Sequence, residues 1–214
     1  MIVRLVGSEM CIRDRFIHEC DVSIDESIQQ MAEALKAKWD RLDFLIHSLA
    51  YADQQDLQIP FSSTSREGFS KAHLISAYSL MPLTHHLLPL MRESEGASIL
   101  SISFIGSVLA VPNYNVMGPA KAALESSVRY LARELGPENI RANVISPGAI
   151  RTLSASGIKN FSEMLRVAGE HSAMKRTATQ EEVGKTAAFL CSDASSAITG
   201  QVIYVDCGYS IMAN

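Results

Sequence analysis

The chain has 214 residues, with 47% hydrophobic and 20% charged side chains and a formal net charge of −4. That length suits one α/β domain with a single core, because cores grow to roughly 250–300 residues before chains divide. The balance is that of a soluble globular protein, and the mild acidity excludes an electrostatic footprint for nucleic acid or an anionic membrane surface.

Residues 1–15 (MIVRLVGSEMCIRDR) carry neither an apolar signal core nor a small-residue cleavage site. Back-translation of Leu5 to Arg15 gives a string that resembles the transposase adapter of sequencing libraries, read in frame. Residues 1–15 are therefore expected to be non-native, with the folded domain in residues 16–214.

From Phe16 onward, short apolar runs alternate with amphipathic stretches, which predicts βαβ units in a doubly wound parallel sheet. Residues 16–21 read as the end of a strand. Asp21 or Ser23 is expected to cap a helix reaching about Asp40, with Ile24, Ile28, Met31 and Leu35 at helical spacing. Residues 43–50 (DFLIHSLA) form a nearly unbroken apolar run, as expected of a strand covered on both faces. A polar loop over 51–65 leads to a helix over about 66–91. Its apolar part, 74–91, contains Pro82, Thr84, His85 and His86, which suits a buried helix of a soluble core better than a membrane span. His85 and His86 have no second ligand pair at metal spacing, so no metal site is expected.

Further along, 97–104 reads as a strand, 114–135 as a helix closed by Gly136-Pro137, and 141–146 as a strand ending in Pro147-Gly148. Residues 149–177 are expected to be irregular, 178–191 helical, and 201–206 a final strand. Cys11, Cys20, Cys191 and Cys207 form no CxxC pair, which suits reduced, mostly buried thiols of a cytosolic protein.

In open parallel sheets the ligand lies at the carboxyl ends of the strands. Ser48, Phe104 and Pro147 occupy such ends, and their three loops are expected to converge on one crevice. Tyr114 and Lys121 are seven residues apart, almost two helical turns. Both side chains are expected on one helix face, with Cα atoms roughly 10 Å apart. An ammonium at that place would lower the phenol pKa from about 10, and such a phenol can hydrogen-bond and protonate an oxyanion. Taken alone, a Tyr–Lys pair at helical spacing more often marks the polar boundary of a surface helix.

Its surroundings change that weighting. VPNYNVMGPAKAAL (111–124) resembles the active-site helix of the enoyl-acyl carrier protein reductases, a divergent branch of the short-chain dehydrogenases/reductases, for which the seven-residue spacing is characteristic. The resemblance extends through CDV (20–22), HSLAYA (47–52), SREGF (65–69), GAIRTLSASGI (148–158), AAFLCSD (187–193) and VDCGY (205–209).

It implies a Rossmann-like reductase that uses NADH to reduce the trans-2 double bond of an enoyl thioester on acyl carrier protein, in bacterial fatty-acid synthesis. By the same resemblance, Tyr114 would bond the thioester carbonyl and stabilise the enolate, and Lys121 would hold the nicotinamide ribose. Asp21 and Val22 would border the adenine, and Ser48 and Leu49 would touch the cofactor. Ile150, Arg151, Thr152, Leu153 and Ser154 would line the nicotinamide and pyrophosphate. Ala52 would lie beside the substrate. Met117, Phe161 and Met164 would form an acyl pocket, with plain core packing as the other reading of these three. Phe104 stands where many members carry a second tyrosine, and Ala50 where many carry glycine. A cytoplasmic homotetramer is implied, with no nucleic-acid or membrane partner.

The family's first strand, Gly-rich loop, first helix and second strand are expected ahead of Phe16, and nothing in the sequence matches them. The expectation is a partial domain in which the 43–50 strand has an unpaired edge and NADH binds weakly or not at all. A short-chain carbonyl reductase and an inactive fragment of the enoyl reductase are the alternative readings.

Overall fold

The computed structural model describes residues 16–150 and 161–213. Within them, four parallel strands lie in the order β1 (Phe44–His47), β2 (Ser98–Ile102), β3 (Arg141–Pro147) and β4 (Val202–Val205). One face is covered by α1 (Asp25–Lys36), α4 (Leu80–Arg92) and α5 (Met117–Leu135), the other by α7 (Gln180–Cys191). Helices on both faces of a parallel sheet are the doubly wound arrangement the alternating pattern predicts. Shorter α2 (Gln54–Gln58) and α3 (Arg66–His73) follow β1, and α6 (Phe161–His171) precedes α7.

The core sits where the apolar runs are longest. Ile99, Ala142 and Val144 meet Leu80, Leu124, Val128 and Leu135 on the first face, while Leu100 and Ile145 meet Leu190 on the second. The buried positions of α5 recur at 117, 120/121, 124/125, 128, 131/132 and 135, an i, i+3/i+4 stripe. Among the described residues, no helix is long and apolar enough to cross a membrane.

Several expectations are corrected. Residues 16–21 form no strand, because a lone extended segment gains no ladder hydrogen bonds. Neither Asp21 nor Ser23 caps α1. The cap position is Ile24, while Asp21 Oδ1 accepts from Ser23 N at 2.9 Å and Ser23 Oγ at 2.7 Å in a turn ahead of the helix.

The expected single helix over 66–91 is interrupted by a π-turn at Leu74–Tyr78. The segment expected to be irregular contains α6, whose exposed side carries Arg166 between Glu163 and Glu170 at helical spacing. Strand β1 is covered on one face only: Leu45 and His47 point to the core, whereas Phe44 and Ile46 remain 49% and 45% exposed. Ile46 is level with Leu100 of β2, on the face that α7 covers farther along the sheet. As expected, β1 is an edge strand, pairing only with β2 among the described residues. Cys20, Cys191 and Cys207 are free thiols, each half-buried.

Candidate active site

Tyr114 does not share a helix with Lys121. It stands in a tight turn before α5, flanked by Asn113 and Asn115 at φ 61° and 37°. Asparagine tolerates this left-handed region better than most residues, and two such positions break the helix that spacing alone suggests. The Asn115 amide secures the turn by donating to Ile59 O at 2.7 Å and Asp56 O at 3.3 Å, tying it to the segment after β1.

The Tyr114 ring lies 4.9 Å from the Phe104 ring, centroid to centroid. A Cβ at Gly106 would sit 2.5 Å from Tyr114 Cδ1, so the ring is seated against bare backbone there. Burial raises the phenol pKa above its ordinary 10, opposite to the lowering expected from the nearby lysine. At neutral pH the group is a protonated hydrogen-bond donor.

Lys121, on the first turns of α5, is almost completely enclosed, and its Nζ donates to Ile102 O at the end of β2 over 2.7 Å. Burial pulls its pKa down to about 8, while the Glu125 carboxylate pulls it up. His47, the last residue of β1, is buried against Ser79, with Nε2 to Oγ at 2.8 Å. Ser79 Oγ spends its own proton on Ile75 O at 2.7 Å, so His47 Nε2 must be the donor and Nδ1 carries the lone pair. Burial first, then the Lys121 charge, lowers the imidazole pKa to about 3 and keeps it neutral.

A cavity of about 440 Å³ opens beside this cluster, walled by Phe104 and Ile105 after β2, Gly148 and Ala149 after β3, Asp206 and Tyr209 after β4, and Met164 of α6. Loops after β2 and β3 thus converge as expected, whereas Ser48 is exposed and does not line this cavity. Met117 is buried with Ala72 and Val116, and Ala52 and Tyr114 pack on the same cluster. Phe104, Tyr114, Met117, Ala52 and Met164 are therefore one neighbourhood. Val22 is a core residue with Ile28, Ile75 and Leu83, and Leu49 packs on them. Asp21 lies in the turn just before. Ile150 faces a separate, open groove between α6 and the start of α7. Arg151, Thr152, Leu153 and Ser154 and the side chain of Phe161 lie outside the described residues.

Spacing pointed to Tyr114 and Lys121 but passed over His47, Glu125 and Ser103. Glu125 carried a usable signal: a carboxylate four residues after Lys121, on a helix face otherwise apolar.

A doubly wound parallel sheet with a buried lysine and a protonated tyrosine gathered at the carboxyl ends of its strands defines an oxidoreductase of the short-chain dehydrogenase/reductase type. The family profile described as enoyl-(acyl carrier protein) reductase matches residues 7–210. The chain is 54% identical over 193 residues to enoyl-[acyl-carrier-protein] reductase [NADH] FabI of Nostoc sp., covering 90% of this chain and 74% of that relative. The crystal structure of enoyl-[acyl-carrier-protein] reductase (NADH) from Aquifex aeolicus VF5 superposes with a TM-score of 0.88 at 46% identity, over 91% of this chain and 76% of that one. An enoyl-(acyl-carrier-protein) reductase from Anaplasma phagocytophilum in complex with NAD gives 0.87 at 38% identity, over 94% and 74%. This chain belongs to the enoyl-acyl carrier protein reductase family.

Proposed function

We propose that the chain catalyses the NADH-dependent reduction of the trans-2 double bond of an enoyl thioester carried by acyl carrier protein, a step of fatty-acid synthesis. The observation that carries this reading is the protonated Tyr114 phenol packed on Phe104 at the wall of an apolar cavity, with the Lys121 ammonium buried at the end of the neighbouring strand β2. Relatives named as NADH reductases and a structural neighbour in complex with NAD support the cofactor.

The residues suit the nicotinamide end of that cofactor. The buried Lys121 ammonium spends a proton on Ile102 O and has two more to offer ribose hydroxyls. When bound, NADH supplies the hydride that reaches the substrate β-carbon. Tyr114 then donates to the thioester oxygen as it becomes an enolate, which a neutral phenol can do without first shedding a proton. Phe104 has no hydroxyl, so Tyr114 is the one phenol at this pair of tilted rings. Phe104, Met117, Ala52, Met164 and Phe161 are assigned to the acyl chain. Asp21, Val22, Ser48, Leu49, Ile150, Arg151, Thr152, Leu153 and Ser154 are assigned to the dinucleotide. We place the enzyme in the cytoplasm as a homotetramer, which the exposed Tyr78 and Tyr130 beside α4 and on α5 support.

The test is the expressed chain assayed with crotonyl and acetoacetyl thioesters, each with NADH and NADPH. Crotonyl reduction with NADH is expected, at cofactor concentrations high enough to offset the weak binding that the missing Gly-rich loop implies, and is lost in Tyr114→Phe. Turnover of acetoacetyl thioester alone would overturn the assignment in favour of a carbonyl reductase.

A further inference from the structure

Lys121 and Glu125 interrupt the apolar stripe of α5 with two ionisable side chains, retaining only 4% and 6% of their exposed surface. Buried charges are tolerated when they are paired and hydrogen-bonded, and two consecutive residues at the end of β2, Ile102 and Ser103, each supply a hydrogen bond. The Ile102 carbonyl accepts from Lys121 Nζ at 2.7 Å, and Ser103 Oγ donates to Glu125 Oε1 at 2.5 Å. Ser103 is itself anchored, its N–H donating to Ile145 O of β3 at 2.8 Å. Successive turns of α5 are thus clamped to the end of the strand that faces the cavity. We propose that Glu125, tethered by Ser103 one turn of α5 beyond Lys121, is a positioning residue whose buried carboxylate is the counter-charge of the Lys121 ammonium that serves the cofactor.

The charges around the pair point the same way. His47 at the end of β1 feels the Lys121 charge but is itself neutral and offers no compensation. Tyr114, from the turn before α5, is a protonated phenol. Burial raises the pKa of Tyr204 of β4, and the negative charges of Glu125 and Asp206 add to that rise, so it too is a protonated phenol. Among the described residues, Glu125 is the carboxylate whose charge offsets the desolvation of Lys121. A lysine near pKa 8 is partly neutral at neutral to mildly alkaline pH, so removing that carboxylate would empty much of its charge. The role in cofactor binding rests on the assignment of Lys121 to the nicotinamide ribose; the charge coupling does not.

The experiment is a pH titration of the chain labelled with ¹³Cε-lysine, the Lys121 signal being identified by its loss in Lys121→Arg, alongside NADH affinity by fluorescence. Glu125→Gln preserves shape and the contact to Ser103. It is expected to lower the Lys121 midpoint by about one pH unit from its starting value near 8. At pH 8 the charged fraction would fall roughly fivefold, and NADH affinity with it, while at pH 6 the two proteins bind alike. Glu125→Asp is expected to restore the midpoint towards its original value. Should Glu125→Gln not fold, Ser103→Ala keeps the carboxylate but frees it, and is expected to shift the midpoint in the same direction by less. An unchanged midpoint in the folded variant overturns the proposal. A lowered midpoint with unchanged NADH affinity upholds the charge coupling and overturns the assignment of Lys121 to the ribose.

Discussion

Replacing Gly106 with alanine tests whether backbone shape sets the position of Tyr114. The new methyl carbon would lie 2.5 Å from Tyr114 Cδ1, 2.8 Å from Cε1 and 3.4 Å from Phe104 Cδ1. Carbon atoms in ordinary contact stand about 3.5–4.0 Å apart, so the ring must retreat by about 1 Å. The turn that carries it is held by Asn115, which limits how far the backbone can follow. A displacement of ~1 Å at a reacting group costs ~100-fold in rate, equivalent to about 2.7 kcal/mol of barrier. Overpacking adds a loss of ~1–3 kcal/mol in stability. The assay is kcat for crotonyl thioester with NADH, together with urea unfolding. A companion Phe104→Ala should recover part of the rate by giving the ring somewhere to go. A folded Gly106→Ala protein with kcat within twofold of the parent would refute the reasoning.

Three further outcomes follow from other parts of the structure. Arg141→Met should cost about 2–3 kcal/mol in denaturant unfolding, because the guanidinium serves Leu190 O, Ser195 Oγ and Ser192 O at 2.9, 2.8 and 3.2 Å; a loss under ~0.5 kcal/mol would show these bonds to be dispensable. His47 titrates near 6.5 when unfolded and near 3 when folded, so the unfolded chain holds more protons in that window. Its contribution to stability is complete above pH 6.5 and is lost as pH falls towards 3; His47→Gln should flatten that slope, and parallel curves would count against it. Ile46→Thr on the exposed face of β1 should slow aggregation, followed by light scattering, while changing stability by no more than ~0.5 kcal/mol; an unchanged rate would clear this edge of responsibility.

Much of the fold was legible because its elements are encoded locally. The apolar runs at 98–102 and 141–147 became the central, buried strands, and the i, i+3/i+4 stripe from Met117 to Leu135 became α5. The start of α7 is local in the same way: Thr179 accepts from Glu182 N, and Glu182 reaches back to Thr179 N. Helix α6 lies in a stretch whose sequence suggests irregular chain, although Leu165 and Ala168 give it an apolar side and Glu163, Arg166 and Glu170 are spaced as helical neighbours. The π-turn at Leu74–Tyr78 had no such signal. It places Ser79 and Ser76 against His47 and Tyr51, and those partners lie 32 and 25 residues away.

The sequence by itself determined the family, because the words around Tyr114 and Lys121 are specific, and it singled out those two residues as the candidate pair. Only the tertiary structure decided how the pair is arranged. Two asparagines in left-handed turns take Tyr114 off the helix, and burial makes its phenol a donor rather than an anion. Lys121 is turned to a carbonyl of β2 and shares its buried stripe with Glu125. Exposure, protonation and hydrogen-bond partners depend on residues brought together from distant parts of the chain, and a one-dimensional spacing holds no record of which strand end will meet which helix turn.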